Sequence, residues 1–127
     1  MWYLDTSAYL KLFTIEEESP AMRSWFRSHN SIWSSHLLRS EALRAGSQLG
    51  NISNIIEDAL DTVSLILPTS TTFLIAGQLF PATLRSLDAL HLAAAMEIGD
   101  DLEGMVAYDG RLIQAALAIS VNVLSPQ

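Results

Sequence analysis

The chain has 127 residues, no cysteine, 50% hydrophobic and 17% charged residues, and a formal net charge of −7. That length suits one domain able to bury about two-thirds of its unfolded surface. Disulfide-stapled scaffolds and cysteine-based zinc sites are excluded, and the composition is too apolar for a disordered chain.

In chain order, Trp2–Leu4 is a short apolar run ending at Asp5, and Thr6 and Ser7 offer an N-cap before Ala8–Phe13. A strand, a turn and a short helix are expected there. Ser19-Pro20 reads as a cap followed by proline at the first helical position, with Met22, Trp25 and Phe26 at helical spacing behind it. Ser31–Ser34 is a candidate second strand. A helix is expected from about His36 to Leu49, ended by Gly50, and another over about Ser53–Leu60. Val63–Leu67 is a β-branched apolar run stopped by Pro68, hence a third strand. Thr69–Leu79 reads as helical, with Pro81 beyond it. Ser86 is expected to cap a helix running to Ile98 and closed by Gly99. Met105–Tyr108 is a strand ending at Asp109, Arg111–Ile119 a helix, and Val121–Leu124 a last strand before Pro126.

Strands alternate with helices, and the strands are continuous apolar runs. That pattern belongs to a parallel sheet buried on both faces. No repeat, linker or low-complexity segment interrupts it, so one α/β domain is expected over residues 1–127. The most apolar stretch, Leu87–Met96, is broken by Asp88 and His91 and falls short of the roughly 20 apolar residues of a membrane span. The opening MWYLD has no basic segment before its apolar residues, unlike a signal peptide, and a cytoplasmic location is expected.

The acids occupy telling positions. Asp5 and Asp109 each end a strand, where open α/β sheets bind ligands. Each is equally suited to capping the next helix. Glu41 falls in or beside the apolar stripe of Leu37, Leu38, Ala42, Ala45 and Leu49. A carboxylate taken out of water costs several kcal/mol unless paired, so it calls for a cation or for Arg39 or Arg44. Asp88 opens a helix that is apolar nearly all round, where the helix dipole favours an anion. His91, one turn on, fits a hydrogen-bonded structural role better than a metal-ligating one. Acids so placed form an all-oxygen set suited to Mg²⁺ or Mn²⁺, and there is too little His for zinc. The net charge of −7 argues against nucleic-acid binding, an argument that weakens if several carboxylates share bound metal.

Leu4-Asp5-Thr6-Ser7-Ala8, Ser40-Glu41 with Arg44-Ala45, Arg85-Ser86-Leu87-Asp88-Ala89-Leu90-His91-Leu92-Ala93, and Tyr108-Asp109-Gly110-Arg111-Leu112 with Ala115-Ala116 follow in that order. Together they resemble the PIN-domain ribonucleases and, among them, the VapC toxins of toxin–antitoxin modules. The resemblance covers nearly the whole chain, and the R-x-L-D-A-L-H-L-A string is its most specific part. It implies a three-layer α/β sandwich around a central, mostly parallel sheet. It also implies a Mg²⁺- or Mn²⁺-dependent endoribonuclease whose catalytic, metal-binding quartet is Asp5, Glu41, Asp88 and Asp109, with Thr6 or Ser7 as a hydroxyl supporting a ligand or a water. One departure is Ala107, where the family often carries Thr or Ser two residues before the fourth acid.

The implied chemistry suits the residues. Phosphodiester hydrolysis needs an activated water and stabilised phosphoryl charge, both within reach of a bound divalent ion. No G-x-S-x-G or glycine-rich phosphate loop competes. A phospho-receiver domain would want adjacent acids after its first strand and a late lysine, whereas Asp5 stands alone and the one lysine is Lys11. A catalytically inactive PIN-like binding module remains as the alternative, and the full quartet speaks against it. Met22, Trp25 and Phe26, with Trp33 nearby, are a large apolar load for a short early helix, and core packing is expected to use most of it, yet the chain as a whole is unusually apolar. With the resemblance, it suggests a homodimer. The resemblance also implies a cognate antitoxin, expected to cover the acidic cleft with a basic side chain and to lay a helix over the Leu10, Leu12 and Phe13 side.

Overall fold

Five short apolar runs pair in parallel in the computed structural model, which describes residues 1–127. β1 (Trp2–Leu4), β2 (Ile32–Ser35), β3 (Ser64–Ile66), β4 (Gly104–Val106) and β5 (Val123–Leu124) lie in the order β3-β2-β1-β4-β5. Every neighbouring pair is parallel. Seven helices connect and cover them: α1 (Thr6–Leu10), α2 (Ser19–Arg27), α3 (His36–Gln48), α4 (Ser53–Ala59), α5 (Ser70–Gln78), α6 (Ser86–Met96) and α7 (Gly110–Ala118).

Side chains alternate across a strand, and the central strands feed two cores. Tyr3, Met105 and Ala107 face one core with Ala89 and Leu92 of α6 and Leu112 and Ala115 of α7. Leu4 and Val106 face the other with Ala8, Tyr9, Met22, Leu38 and Ile56 of the first four helices. This is the three-layer sandwich, with the parallel sheet in the middle. No helix is long and apolar enough to cross a membrane.

Several boundaries differ from expectation, each for a visible reason. Asp5 caps α1, because its own carboxylate accepts from Ala8 N–H; Thr6 and Ser7 are already helical. Residues Lys11 to Phe13 continue only as i→i+3 turns. Ser19 lies inside α2 with Glu18 before it, and its hydroxyl accepts from Glu16 N–H. Ser86 is likewise the first helical residue of α6, preceded by Arg85. β4 stops at Val106, since Tyr108 N–H turns to the Ser7 hydroxyl instead of a strand partner. Gly104 in β4 is required by close approach: a Cβ there would sit 2.7 Å from the Trp2 ring and 3.0 Å from Asn122 O.

The strand order reverses its sense between β1 and β4. Such a switch point opens a crevice at the carboxyl ends of its two strands. Asp5 follows β1 directly and Asp109 lies just beyond β4, so the two residues flank that crevice.

Candidate active site

Asp5 is 3% exposed. The Ser7 hydroxyl donates to both of its oxygens, at 2.8 and 2.9 Å, and Ala8 N–H donates to Oδ1 at 3.0 Å. Ser7 Oγ also accepts from Tyr108 N–H at 3.1 Å, so one hydroxyl ties the ends of β1 and β4 together. Burial pushes the Asp5 carboxyl up to about 6; the Ala8 and Ser7 hydrogen bonds and His91 oppose the rise, and Asp88 adds to it. A carboxylate so short of compensation is a place where a cation is stabilising.

Glu41 sits at the edge of the buried stripe of α3, its side chain 25% exposed. It pairs with neither Arg39, which is engaged by Glu57, nor Arg44. Its Oε1 accepts from the Thr6 hydroxyl at 2.8 Å and lies 2.6 Å from His91 Nε2. Burial raises its pKa, but the His91 bond and charge, the Thr6 hydroxyl and Arg85 outweigh that and hold the carboxyl below its ordinary value. His91 is 1% exposed, and its Nδ1 lies 2.8 Å from the Tyr3 hydroxyl. It is thus a hydrogen-bonded bridge, as its lone position suggested.

Asp88 lies in the first turn of α6. Burial raises its carboxyl, Arg85 opposes that, and Asp109 adds to it. Arg85 joins the two acids, with Nε 3.2 Å from Asp88 Oδ2 and one terminal nitrogen 3.3 Å from Asp109 Oδ2. Asp109 caps α7, its Oδ1 accepting from Arg111 and Leu112 N–H at 3.0 and 3.1 Å. Capping therefore uses one oxygen of Asp109 and leaves Oδ2 turned toward Arg85. Ala107 offers no hydroxyl here, and its carbonyl accepts from Ser125 at 2.5 Å.

The sequence-predicted residues are thus linked in one network. Thr6 and His91 join Asp5's helix and α6 to Glu41, Asp88 raises the proton affinity of Asp5, and Arg85 bridges Asp88 and Asp109. No three Asp, Glu or His side chains are drawn together tightly enough to grip one ion; each carboxylate is engaged by donors of the chain itself. The donor set still fits a hard divalent cation, being all carboxylate oxygen, with Asp5 and Asp88 undercompensated. Sequence reasoning placed Arg85 in its most specific string without giving it a role, and left out Tyr3. Arg85 carried a signal, three residues before Asp88 across one helical turn; Tyr3 carried none beyond its strand.

The PIN domain family matches residues 2–118. Among characterised relatives, Ribonuclease VapC46 of Mycobacterium tuberculosis is 38% identical over 125 residues, covering 98% of this chain and 96% of that protein. Ribonuclease VapC35 of the same species is 37% identical over 137 residues, covering 99% and 97%. The fold is similar to the crystal structure of M. tuberculosis VapC20, described as a sarcin-ricin loop cleaving toxin, with a TM-score of 0.79 at 15% identity over 99% of this chain and 100% of that one. It is also similar to a chain of a toxin–antitoxin complex from Klebsiella pneumoniae, with a TM-score of 0.72 at 17% identity over 100% of this chain and 98% of that one.

Proposed function

This chain belongs to the PIN-domain family and, within it, to the VapC ribonucleases, and we propose that it is a divalent-metal-dependent endoribonuclease acting as the toxin of a toxin–antitoxin module. The observation that carries the reading is the placement of Asp5 and Asp109 at the ends of the two strands flanking the switch point, with Glu41 and Asp88 tied into the same network.

Asp5, Glu41 and Asp88 would hold Mg²⁺ or Mn²⁺, with Asp109 completing the site or serving a second ion. The bound ion supplies an activated water and Lewis-acid stabilisation of the phosphoryl oxygens. The chain's own residues fix the ligands. Ser7 and Ala8 N–H lock the Asp5 carboxylate against rotation. Thr6 and His91 hold Glu41 in place, and Tyr3 holds His91. Arg85, its side chain 68% exposed, offers a guanidinium at the rim where a phosphate would approach. We further propose one nuclease domain over residues 1–127, a homodimer, a cytoplasmic site of action and a cognate antitoxin. A catalytically inactive binding module has no observation in its favour.

The test is cleavage of RNA by the purified chain with Mn²⁺ or Mg²⁺, beside EDTA and the Asp5→Asn variant, followed by sequencing of RNA 5′ ends after induction of each in cells. Metal-dependent cuts absent from Asp5→Asn are expected. Equal cutting by both proteins would overturn the assignment.

A further inference from the structure

A groove of about 1320 Å³ runs between the loop joining α5 to α6 and the exposed side of α7. It is larger than the usual small-ligand pocket of about 300–1,000 Å³. Its lining includes Arg85 and Asp109, members of the acidic network, together with Leu84, Ala115, Phe80 and Arg111.

Two of these residues have no role in the fold. Phe80 is 81% exposed, an arrangement that leaves a large apolar ring in water. Arg111 is exposed and forms no ion pair. Among the chain's other cations Lys11 pairs with Glu16 and Glu18, Arg39 with Glu57, and Arg85 with Asp88 and Asp109, while Arg27 and Arg44, also unpaired, do not line this groove. The α7 N-terminus is already capped by Asp109, so beside the ion-paired Arg85 the unpaired cation this groove offers an anion is the Arg111 side chain. In a chain of net charge −7, a free arginine beside the acidic site is where a polyanion can approach. The exposed ring offers what a base needs, since every base has a face that stacks on an aromatic side chain.

We propose that this groove is a substrate subsite in which a base next to the cleaved bond stacks on Phe80 and a neighbouring phosphate is held by Arg111. The assignment rests on the ribonuclease reading and extends it to the path of the RNA. It selects single-stranded or looped RNA, because a base must be unstacked from its neighbours to reach Phe80.

The test uses the full chain carrying Asp5→Asn, so that bound RNA is not cut, and a fluorescein-labelled single-stranded RNA dodecamer of random sequence. Phe80→Ala should weaken binding about tenfold, and Phe80→Trp should restore it. Arg111→Ala should weaken binding and reduce its salt dependence by about one phosphate contact. Arg27→Ala, an equal loss of charge on the last turn of α2, should change binding little. Phe80 and Arg111 are exposed, so folding is preserved, which circular dichroism checks. In parallel, Mn²⁺-dependent cleavage is read with the otherwise unmodified chain, where Phe80→Ala should raise KM more than it lowers kcat. If the unmodified chain cuts RNA while both groove variants bind and cut as it does, the groove is wrong and the ribonuclease reading stands. If the unmodified chain neither binds nor cuts RNA, both fail. Unchanged RNA binding together with a weakened hold on the antitoxin would assign the groove to a protein partner and overturn the subsite.

Discussion

His91 Nε2 lies 2.6 Å from Glu41 Oε1, joining α6 to α3 through a ring that Tyr3 anchors from β1 at 2.8 Å. Burial pushes the Tyr3 hydroxyl well above its ordinary range, so it remains protonated. His91→Ala removes the ring, leaving the Tyr3 hydroxyl without its partner and Glu41 held by the Thr6 hydroxyl alone. The expected loss is about 3 kcal/mol, from the cavity and the unpaired groups together. Tyr3→Phe removes one hydroxyl and should cost about 1 kcal/mol. Urea denaturation of the two variants decides: equal losses would mean that Glu41 does not depend on the ring. Cleavage should fall further in His91→Ala than in Tyr3→Phe, because only the former releases Glu41.

Asp5 makes metal-free stability depend on pH. Its folded carboxyl titrates near 6, against 3.8 for the unconstrained group. The folded state binds this proton more tightly than the unfolded state does. Stability is therefore greatest below about 4, falls as pH rises to about 6, and carries the full penalty above that. Asp5→Asn removes the charge while keeping an acceptor for Ala8 N–H, and the Ser7 hydroxyl can accept from the new amide. In EDTA at pH 7.5 the variant should be more stable by on the order of 3 kcal/mol, and near pH 4 the difference should vanish. Thermal melts at the two pH values check this. A wild type as stable as Asp5→Asn at pH 7.5 would show that the carboxylate is already compensated. Adding Mn²⁺ should stabilise the wild type selectively, since only its carboxylate gains a cation.

The fold was legible in the sequence because its strands are unbroken apolar runs and its helices carry caps and breakers. Trp2–Leu4 and the α3, α5 and α7 spans agree to within a residue or two. The errors fell on caps. A Thr-Ser or Ser-Pro pair reads as a cap in isolation, yet at Asp5 a carboxylate one residue earlier was already placed to accept from Ala8 N–H. The acids were found because strand ends and buried stripes are visible in one dimension. Their partners were not. Tyr3 and His91 are 88 residues apart, and His91 and Glu41 50 apart, pairings that only the crossover from β3 to β4 creates. Most of the apolar load of the second helix serves the core, as its helical spacing suggests: Met22 is fully buried and Trp25 and Phe26 pack against the same cluster.

Arg85 should compete with a divalent ion for the acids it bridges. It reaches Asp88 Oδ2 and Asp109 Oδ2 from a side chain that is 68% exposed. Exposed ion pairs contribute about 1 kcal/mol or less, so Arg85→Gln should lower metal-free stability only slightly. Removing the guanidinium deprives the two carboxylates of their counter-charge and should tighten Mn²⁺ binding a few-fold, measured by titration calorimetry. RNA binding should weaken in the same variant. Looser Mn²⁺ binding would mean that Arg85 organises the acids instead of competing for them.

Self-association should use α5. Phe73 and Leu74 are 56% and 62% exposed, and Leu87, at the start of the neighbouring α6, is 47% exposed. Helix α5 packs chiefly on α6, leaving this side free. A homodimer closed through the α5 face would bury these residues. Sedimentation at tens of micromolar, a range suited to ordinary interfaces, should show a dimer for the unmodified chain and a monomer for Phe73→Glu. A dimer unchanged by Phe73→Glu would place the interface elsewhere.

Inhibition by the antitoxin should be sensitive to divalent metal. The chain already demonstrates that its acids accept a guanidinium, since Arg85 touches two of them at once. A partner arginine can fork onto carboxylate oxygens in the same way, with charge-assisted bonds stronger than neutral ones. Such an arginine and a divalent ion would seek the same oxygens, so each should weaken the other's binding by the same factor. The Leu10, Leu12 and Phe13 side, partly buried against the core, leaves fully exposed Ile15 beside it as an apolar anchor for a partner helix. Raising Mn²⁺ or Mg²⁺ at fixed antitoxin should therefore restore RNA cleavage, and replacing the arginines and lysines of the partner's inserted segment should abolish that metal dependence. Inhibition indifferent both to metal and to those replacements would mean that the antitoxin acts away from the acids, by closing the path to them.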